Sequence, residues 1–290
     1  MSLDGIQAFS DGLGPVLYGF GIGMIVLETV VLTVKKLPRD KKSRWLSVWC
    51  GLLGFGTEGV VHATLLFGFG LWLYEHRVFD LGFDWWVWVL CFLINDLMFY
   101  VSHRVMHRVR ILWAIHCVHH SPRHYDLTTG IRGSALGVFA SFPFVAWIPL
   151  LGIHPLVFLI VDKLFKFYGL AYHTEAVRKL GWLDRILITP SVHRVHHATN
   201  PQYVDKNYGG FFVLFDRWFG SYEPEVEEPA YGLVKDHTPT TLADAQLHEF
   251  KDLWRDVRGA ESLGDALRYC FMPPGWSPEQ AVNSESVAAK

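Results

Sequence analysis

Three short clusters hold eight of the fifteen histidines: His103-Arg-Val-Met-His107, His116-Cys-Val-His119-His120 and His193-Arg-Val-His196-His197. Residues three and four apart share a helix face, so HxxxH aims two imidazoles at one point and HxxHH is expected to aim three. Neutral imidazole is the commonest metal ligand and suits iron, copper and zinc. A tetrahedral zinc takes four ligands, so eight clustered imidazoles exceed its needs and two metals is the economical count. A single HxxxH is weak evidence of anything. Three clusters, two with identical spacing, are stronger, because burying them without metal would leave donors and acceptors unpaired at about 1–3 kcal/mol each. Isolated histidines such as His76, His237 and His248 read instead as solvated polar residues.

Asp96 lies seven residues before His103 and eleven before His107, near one helical face with both. A carboxylate at the end of an apolar stretch is costly unless paired, and metal-bound imidazoles commonly donate their second N–H to a carboxylate. Asp96 is therefore expected to orient a histidine. Tyr100 shares that face and either lines the site or packs.

The elements that must carry these clusters are apolar. Hydrophobic residues make up 51% of the chain and charged residues 19%, below the quarter or so usual for soluble domains. The apolar stretch 15–34 carries one charge, Glu28, and is long enough to span hydrocarbon. A basic loop follows, with Lys35, Lys36, Arg39, Lys41, Lys42 and Arg44. The stretch 45–74 is longer than one span needs and includes Glu58 and His62; a third, 85–102, ends at His103. Two further runs, 134–151 and 153–172, meet at Gly152 and suit a hairpin, with Pro143, Pro149 and Pro155 marking kinks and Asp162, Lys163 and Lys166 an amphipathic second arm. The positive-inside rule puts the basic loop, and with it every histidine cluster, on the cytoplasmic side. Beyond Gly181 the chain turns polar and aromatic; Leu247, Phe250, Trp254 and Val257 sit at the spacing of a surface helix over 242–257. The tail from Pro273 is expected to fray.

The expected architecture is an all-α integral membrane protein, a transmembrane helix bundle with a cytoplasmic helical cap carrying a histidine-rich di-metal site. Residues 1–84 form N-terminal spans and loops, 85–235 the histidine region with its hairpin, and 236–290 a surface helix and tail. A net charge of −2 offers no basic field for nucleic acid. The start lacks the basic n-region of a signal peptide, and four scattered cysteines read as free thiols.

In their order HxxxH, HxxHH, HxxHH, the clusters resemble the fatty acid hydroxylase and sterol desaturase superfamily of membrane di-iron enzymes. The segments HHSPRHYDLTTGIRGS (119–134), YHTE (172–175), TPSVHRVHHATN (189–200) and DKNYGGFFVLFDRWFGSYEPE (205–225) are similar to its alkylglycerol monooxygenase branch. The likeness runs from about Trp85 to Leu233. It implies two iron ions held by the eight cluster histidines, with His173 of YHTE as a ninth ligand, and no catalytic residue beyond the metal centre. It places Asp126, Arg132, Asn200, Asp205 and Asn207 around that centre. It further implies oxidation of a lipid by dioxygen at an ether-linked or acyl chain, with desaturation as the alternative outcome. Electrons would come from a separate donor of ferredoxin, cytochrome b5 or pterin type, since His154-Pro155 lacks the glycines of a fused cytochrome b5 domain. One departure is Arg108, where that branch carries glutamate; with a shorter chain, it weighs against tetrahydrobiopterin as the cofactor. Rival classes are a bis-histidine haem carrier, which needs single histidines on facing spans, and a metal transporter, whose ligands line a path near the membrane midplane. A zinc hydrolase fits the ligand count less well.

Overall fold

A computed structural model of the protein describes residues 2–36, 40–61, 64 and 67–279; Arg39, His62 and the end of the tail lie outside them. Among the described residues all regular structure is helical, with two isolated β-bridges, Leu187 to Phe212 and Ala198 to Tyr231.

Helix α1 (Leu3–Val34) starts well before the expected Pro15, because Ser2 caps it by accepting from the Gly5 N–H and Asp4 sits in its first turn. Pro15 is carried inside the helix. One face packs on the hairpin's second arm, where Ile6 meets Leu156 and Ile160 and Gly21 lies against Leu170. The rest, including Tyr18, Phe20, Ile22, Val26 and Leu27, is exposed. An apolar stripe of that length is at home in hydrocarbon and is a liability in water. In the stretch read over 45–74 the described residues include α2 (Lys41–Val61) and α3 (Phe67–Glu75).

Helix α4 (Trp85–Arg108) is the axis of the molecule. Its Val87 and Cys91 join Ile148, Ile153, Val157, Phe158 and Val161 in the main apolar core. By length and composition α1 and α4 could each cross a membrane. Val109 leaves the helical region at φ −122°, so the chain turns and α5 (Arg110–His120) packs against the end of α4. After the short α6 (Leu127–Gly130), the two apolar runs that meet at Gly152 hold α7 (Gly137–Val145), a 3-10 turn at Ile148–Leu151, and α8 (Pro155–Ala171). Gly152 makes the reversal at φ 92°; a Cβ there would meet the Phe79 carbonyl oxygen at 2.1 Å, so the bend admits only glycine.

Beyond α8 the chain forms α9 (Pro190–His196), α10 (Leu214–Trp218), α11 (Leu242–Arg258) and α12 (Leu263–Phe271). Helix α11 occupies the expected span and is held on α5 by Arg110, which pairs with Glu249 at 3.0 Å and Asp256 at 2.6 Å. It buries Ala245 and Leu253 and leaves Leu247 and Trp254 exposed. His248 is buried, against the expectation of a solvated ring: its Nδ1 is 3.1 Å from the Asp244 carbonyl oxygen and its Nε2 3.7 Å from Cys117 Sγ. All four cysteines are free.

Candidate metal centre

Nine histidines from α4, α5, α9 and the end of α8 converge into two groups. His103, His107, His116, His120 and His196 form one; His119, His173, His193 and His197 form the other, and within each group the candidate ligand atoms lie within 4.8 Å of one another. They are the nine expected residues. The expectation that HxxHH aims three rings at one point is corrected. In each box the i and i+4 rings share a face and enter one group, while the ring at i+3 enters the other: His116 and His120 against His119, and His193 and His197 against His196. Successive helical residues are about 100° apart, so i+4 lies about 40° from i on one side and i+3 about 60° on the other. Two boxes can therefore interleave between two centres.

Main-chain carbonyls fix the rings. His103 Nδ1 is 2.8 Å from the Tyr208 oxygen, His119 Nδ1 3.0 Å from that of Arg132, His173 Nδ1 2.6 Å from that of Gly169, and His196 Nδ1 2.9 Å from that of Lys206. A carbonyl can only accept, so each of these Nδ1 atoms carries the proton and each Nε2 presents a lone pair. Yet His119 Nε2 and His173 Nε2 face each other at 3.2 Å. In the other group the Nε2 atoms run His103–His116–His120–His196 at 3.0, 3.2 and 3.2 Å. With lone pairs at both ends of that chain, no assignment of protons satisfies all three contacts. A cation among the nitrogens resolves both conflicts, and nitrogens bound at roughly 2.0–2.1 Å to one metal sit roughly 3 Å apart. The Nε2 atom of His107 is also buried without a hydrogen-bond partner. Burial pushes His119 down to about 4, and burial with neighbouring imidazoles holds His116, His120, His193, His196 and His197 well below the usual range, so these rings are neutral and able to ligate at pH 7. The nine residues fit a pair of metal ions, and an all-imidazole donor set suits iron.

Asp96 does not reach an imidazole, which corrects its expected role. Its oxygens accept from the backbone N–H groups of Phe211 and Phe212 at 2.9 and 3.3 Å. It thereby anchors the loop whose Tyr208 carbonyl grips His103. Asp205 is the carboxylate beside a ring, 3.7 Å from His107 Nδ1 and 2.8 Å from Arg108. Burial raises its pKa, but the hydrogen bonds from His107 and Arg108 outweigh this and hold it at about 2. Asp205 and Asn207 have positive φ, 61° and 55°, a region that Asp and Asn tolerate better than most residues. Asn207 donates to the carbonyls of Val192 and Glu223 and so ties the loop to α9. Arg132 is buried and donates to the Val118 carbonyl, besides lending its own carbonyl to His119. Asp126 caps α6 and lies 3.4 Å from Arg44. Asn200 sits apart from the rings and pins the segment at Glu228 and Ala230. Tyr100 packs on Phe215, Phe219 and Tyr208. Glu28 gave no sequence signal of its role: it accepts from the Leu127 N–H at 2.8 Å and from the Thr174 hydroxyl, joining α1 to the segments beside His119 and His173.

An apolar groove of about 350 Å³ opens between α4 and α8, lined by Trp88, Val89, Phe92, Val161, Leu164, Phe165 and Phe211. Two lines of touching rings lead inward from its walls. One runs from Phe165 through Phe99 to His103, the other from Phe211 through Tyr168 and Tyr172 to His193. The groove thus approaches both histidine groups from the face that carries α4.

Residues 88–221 match the fatty acid hydroxylase family. The chain is 34% identical to alkylglycerol monooxygenase of Danio rerio over 262 residues, 89% of this chain and 58% of that protein. It is 35% identical to the Homo sapiens enzyme of the same name, over 89% of this chain and 59% of that protein. Ornithine lipid hydroxylase OlsE of Rhizobium tropici is 32% identical over 46% of this chain and 41% of its own length. The chain thus spans about half the length of the curated relatives it matches. Sterol desaturases are more distant relatives, at 24% identity for that of Gibberella zeae. No solved structure matches the chain significantly. The segment that matches the fatty acid hydroxylase family thus holds all nine converging histidines, and the homologues of the chain include alkylglycerol monooxygenases.

Proposed function

We propose that this protein is a membrane-bound di-iron monooxygenase that hydroxylates the hydrocarbon chain of a lipid with dioxygen. The observation that carries the reading is the pair of Nε2 clusters whose contacts no set of protons satisfies and a cation in each group would reconcile. Two irons, held by the five-histidine and four-histidine groups, would supply the activation of dioxygen for inserting one oxygen atom into a C–H bond. The residues of the chain do the rest. Backbone carbonyls hold four rings in the tautomer that offers Nε2, Asp205 supports His107, and the aromatic rings around both groups exclude water.

The groove between α4 and α8 is the seat for the substrate's chain: it is apolar and lies on a helix able to span the bilayer. The two lines of rings end at different groups, one at His103 and the other at His193. The basic loop between α1 and α2 supports an orientation with the histidine centre on the cytoplasmic side, where a separate electron donor of ferredoxin, cytochrome b5 or pterin type has access. The names of the relatives favour an ether-linked or acyl chain, and hydroxylation over desaturation.

The test is incubation of the iron-loaded protein in lipid with a reductant and ¹⁸O₂, followed by mass spectrometry of the extracted lipids. One labelled oxygen atom in a lipid, or in the aldehyde released from an ether lipid, is expected, and His196→Ala should abolish it. Loss of two hydrogens without label would mean desaturation; no oxidised lipid at all would refute the reading.

A further inference from the structure

The loop after α8 and helix α10 form a second surface that the metal centre does not use. Leu180, Trp182, Ile186, Trp218 and Phe219 are exposed there, Trp182 at 68% and Trp218 at 69%. Arg178, Lys179, Arg185 and Arg217 are interleaved with them, also exposed, and among the described residues none of the four pairs with a carboxylate. The nearby acids face elsewhere. Asp184 is taken up by the Leu180 N–H and the Thr189 hydroxyl, and Asp216 is buried among the Tyr208 and Gly209 N–H groups and the Ser221 hydroxyl. Glu175 is exposed and, among the described residues, forms no ion pair with any of the four.

The two segments make one built surface. Val213 N–H donates to the Ile186 carbonyl at 3.0 Å, Arg217 Nε to the Arg185 carbonyl at 3.2 Å, and the Tyr222 hydroxyl to the Asp184 carbonyl at 3.1 Å. Its height along the molecule is set by α4: Phe219 stacks on Tyr100 at 5.5 Å, and Arg104 bonds the Tyr100 hydroxyl. Tyr100 stands where the apolar part of α4 gives way to His103, which is the level of the lipid headgroups if α4 spans the bilayer. Phe211, on the wall of the chain groove, lies in the short segment that leads into α10.

We infer that this surface is an interfacial anchor that docks on the anionic headgroups of the leaflet into which the groove opens. Tryptophan and phenylalanine favour the headgroup boundary, and unpaired arginine and lysine beside them are drawn to anionic lipid. A soluble acidic protein would match the four cations as well, but it gives no account of five large apolar side chains exposed between them. The anchor would hold the groove mouth against the bilayer, so that a chain passes from lipid to protein without crossing water. The inference rests on the membrane-spanning reading of α1 and α4.

The test uses the intact protein in nanodiscs of phosphatidylcholine alone and of phosphatidylcholine with phosphatidylglycerol, followed by hydrogen exchange. Amides of 177–187 and 214–219 should exchange about tenfold more slowly in the anionic discs. The combined variant Arg178→Glu, Lys179→Glu, Arg185→Glu should lose that protection while its thermal unfolding stays unchanged, since these side chains pair with no carboxylate. Equal exchange in the two discs would overturn the inference. So would protection that arises only when a soluble acidic ferredoxin is added, which would make the surface a protein-docking site. Failure of the chain to be retained in any disc would refute the spanning reading itself, and is visible separately.

Discussion

Four imidazoles here have Nδ1 committed to a main-chain carbonyl, which decides what their other nitrogen can do. In one group a lone pair then faces a lone pair, His119 against His173 at 3.2 Å, and in the other no set of protons satisfies the contacts His103–His116–His120–His196. Among the described residues, Asp205 is the carboxylate that pairs with a cluster ring. Removing such an outer partner usually costs 10–100-fold in metal affinity or activity. Asp205→Ala is therefore expected to weaken iron binding by about that factor, read by chelator competition; an unchanged affinity would remove Asp205 from the centre's support. The eight box histidines were legible from spacing alone. His173 was not: one histidine at the end of an apolar run looks like packing, and only the likeness of YHTE to a family segment marked it. The carbonyl grips were invisible for a different reason, since a backbone acceptor leaves no trace in residue type. Asp96 was placed by helical phase, which gives the face of a side chain but not which neighbouring segment comes to meet it.

Helix positions followed hydropathy well where one element fills one apolar run, as in α4 and α8. They failed where a cap decides. Ser2 extends α1 upstream of Pro15. The two-and-one division of HxxHH is also an element-scale fact, because a single helix read alone does not reveal that two centres flank it. At this scale the groove makes its own prediction. Leu164 is 44% exposed on α8 and lines the groove remote from the ligands. Leu164→Trp should fill the groove, lower turnover of long-chain lipid by roughly tenfold or more through lost positioning, and leave the iron content as in the parent. Full turnover with a filled groove would direct the search for the chain's path elsewhere.

Across the whole molecule the same asymmetry recurs: an apolar half of α1, α4 and the hairpin, and a polar half that closes over the histidines. Glu28 and Arg110 join the two, the first from α1 to the segments at Leu127 and Thr174, the second from α5 to α11. The proposed function would use this arrangement, with a lipid chain entering from the apolar side and electrons from the polar one. All of it depends on two metal ions sitting where the imidazoles converge. The most direct measurement is the iron bound per chain after anaerobic loading and dialysis, for the parent and for the double variant His193→Ala, His197→Ala. Two irons per chain are predicted for the parent, one for each histidine group, and one iron for the variant, retained by the five-histidine group. No retained iron in the parent, or the same iron content in both, would contradict the account.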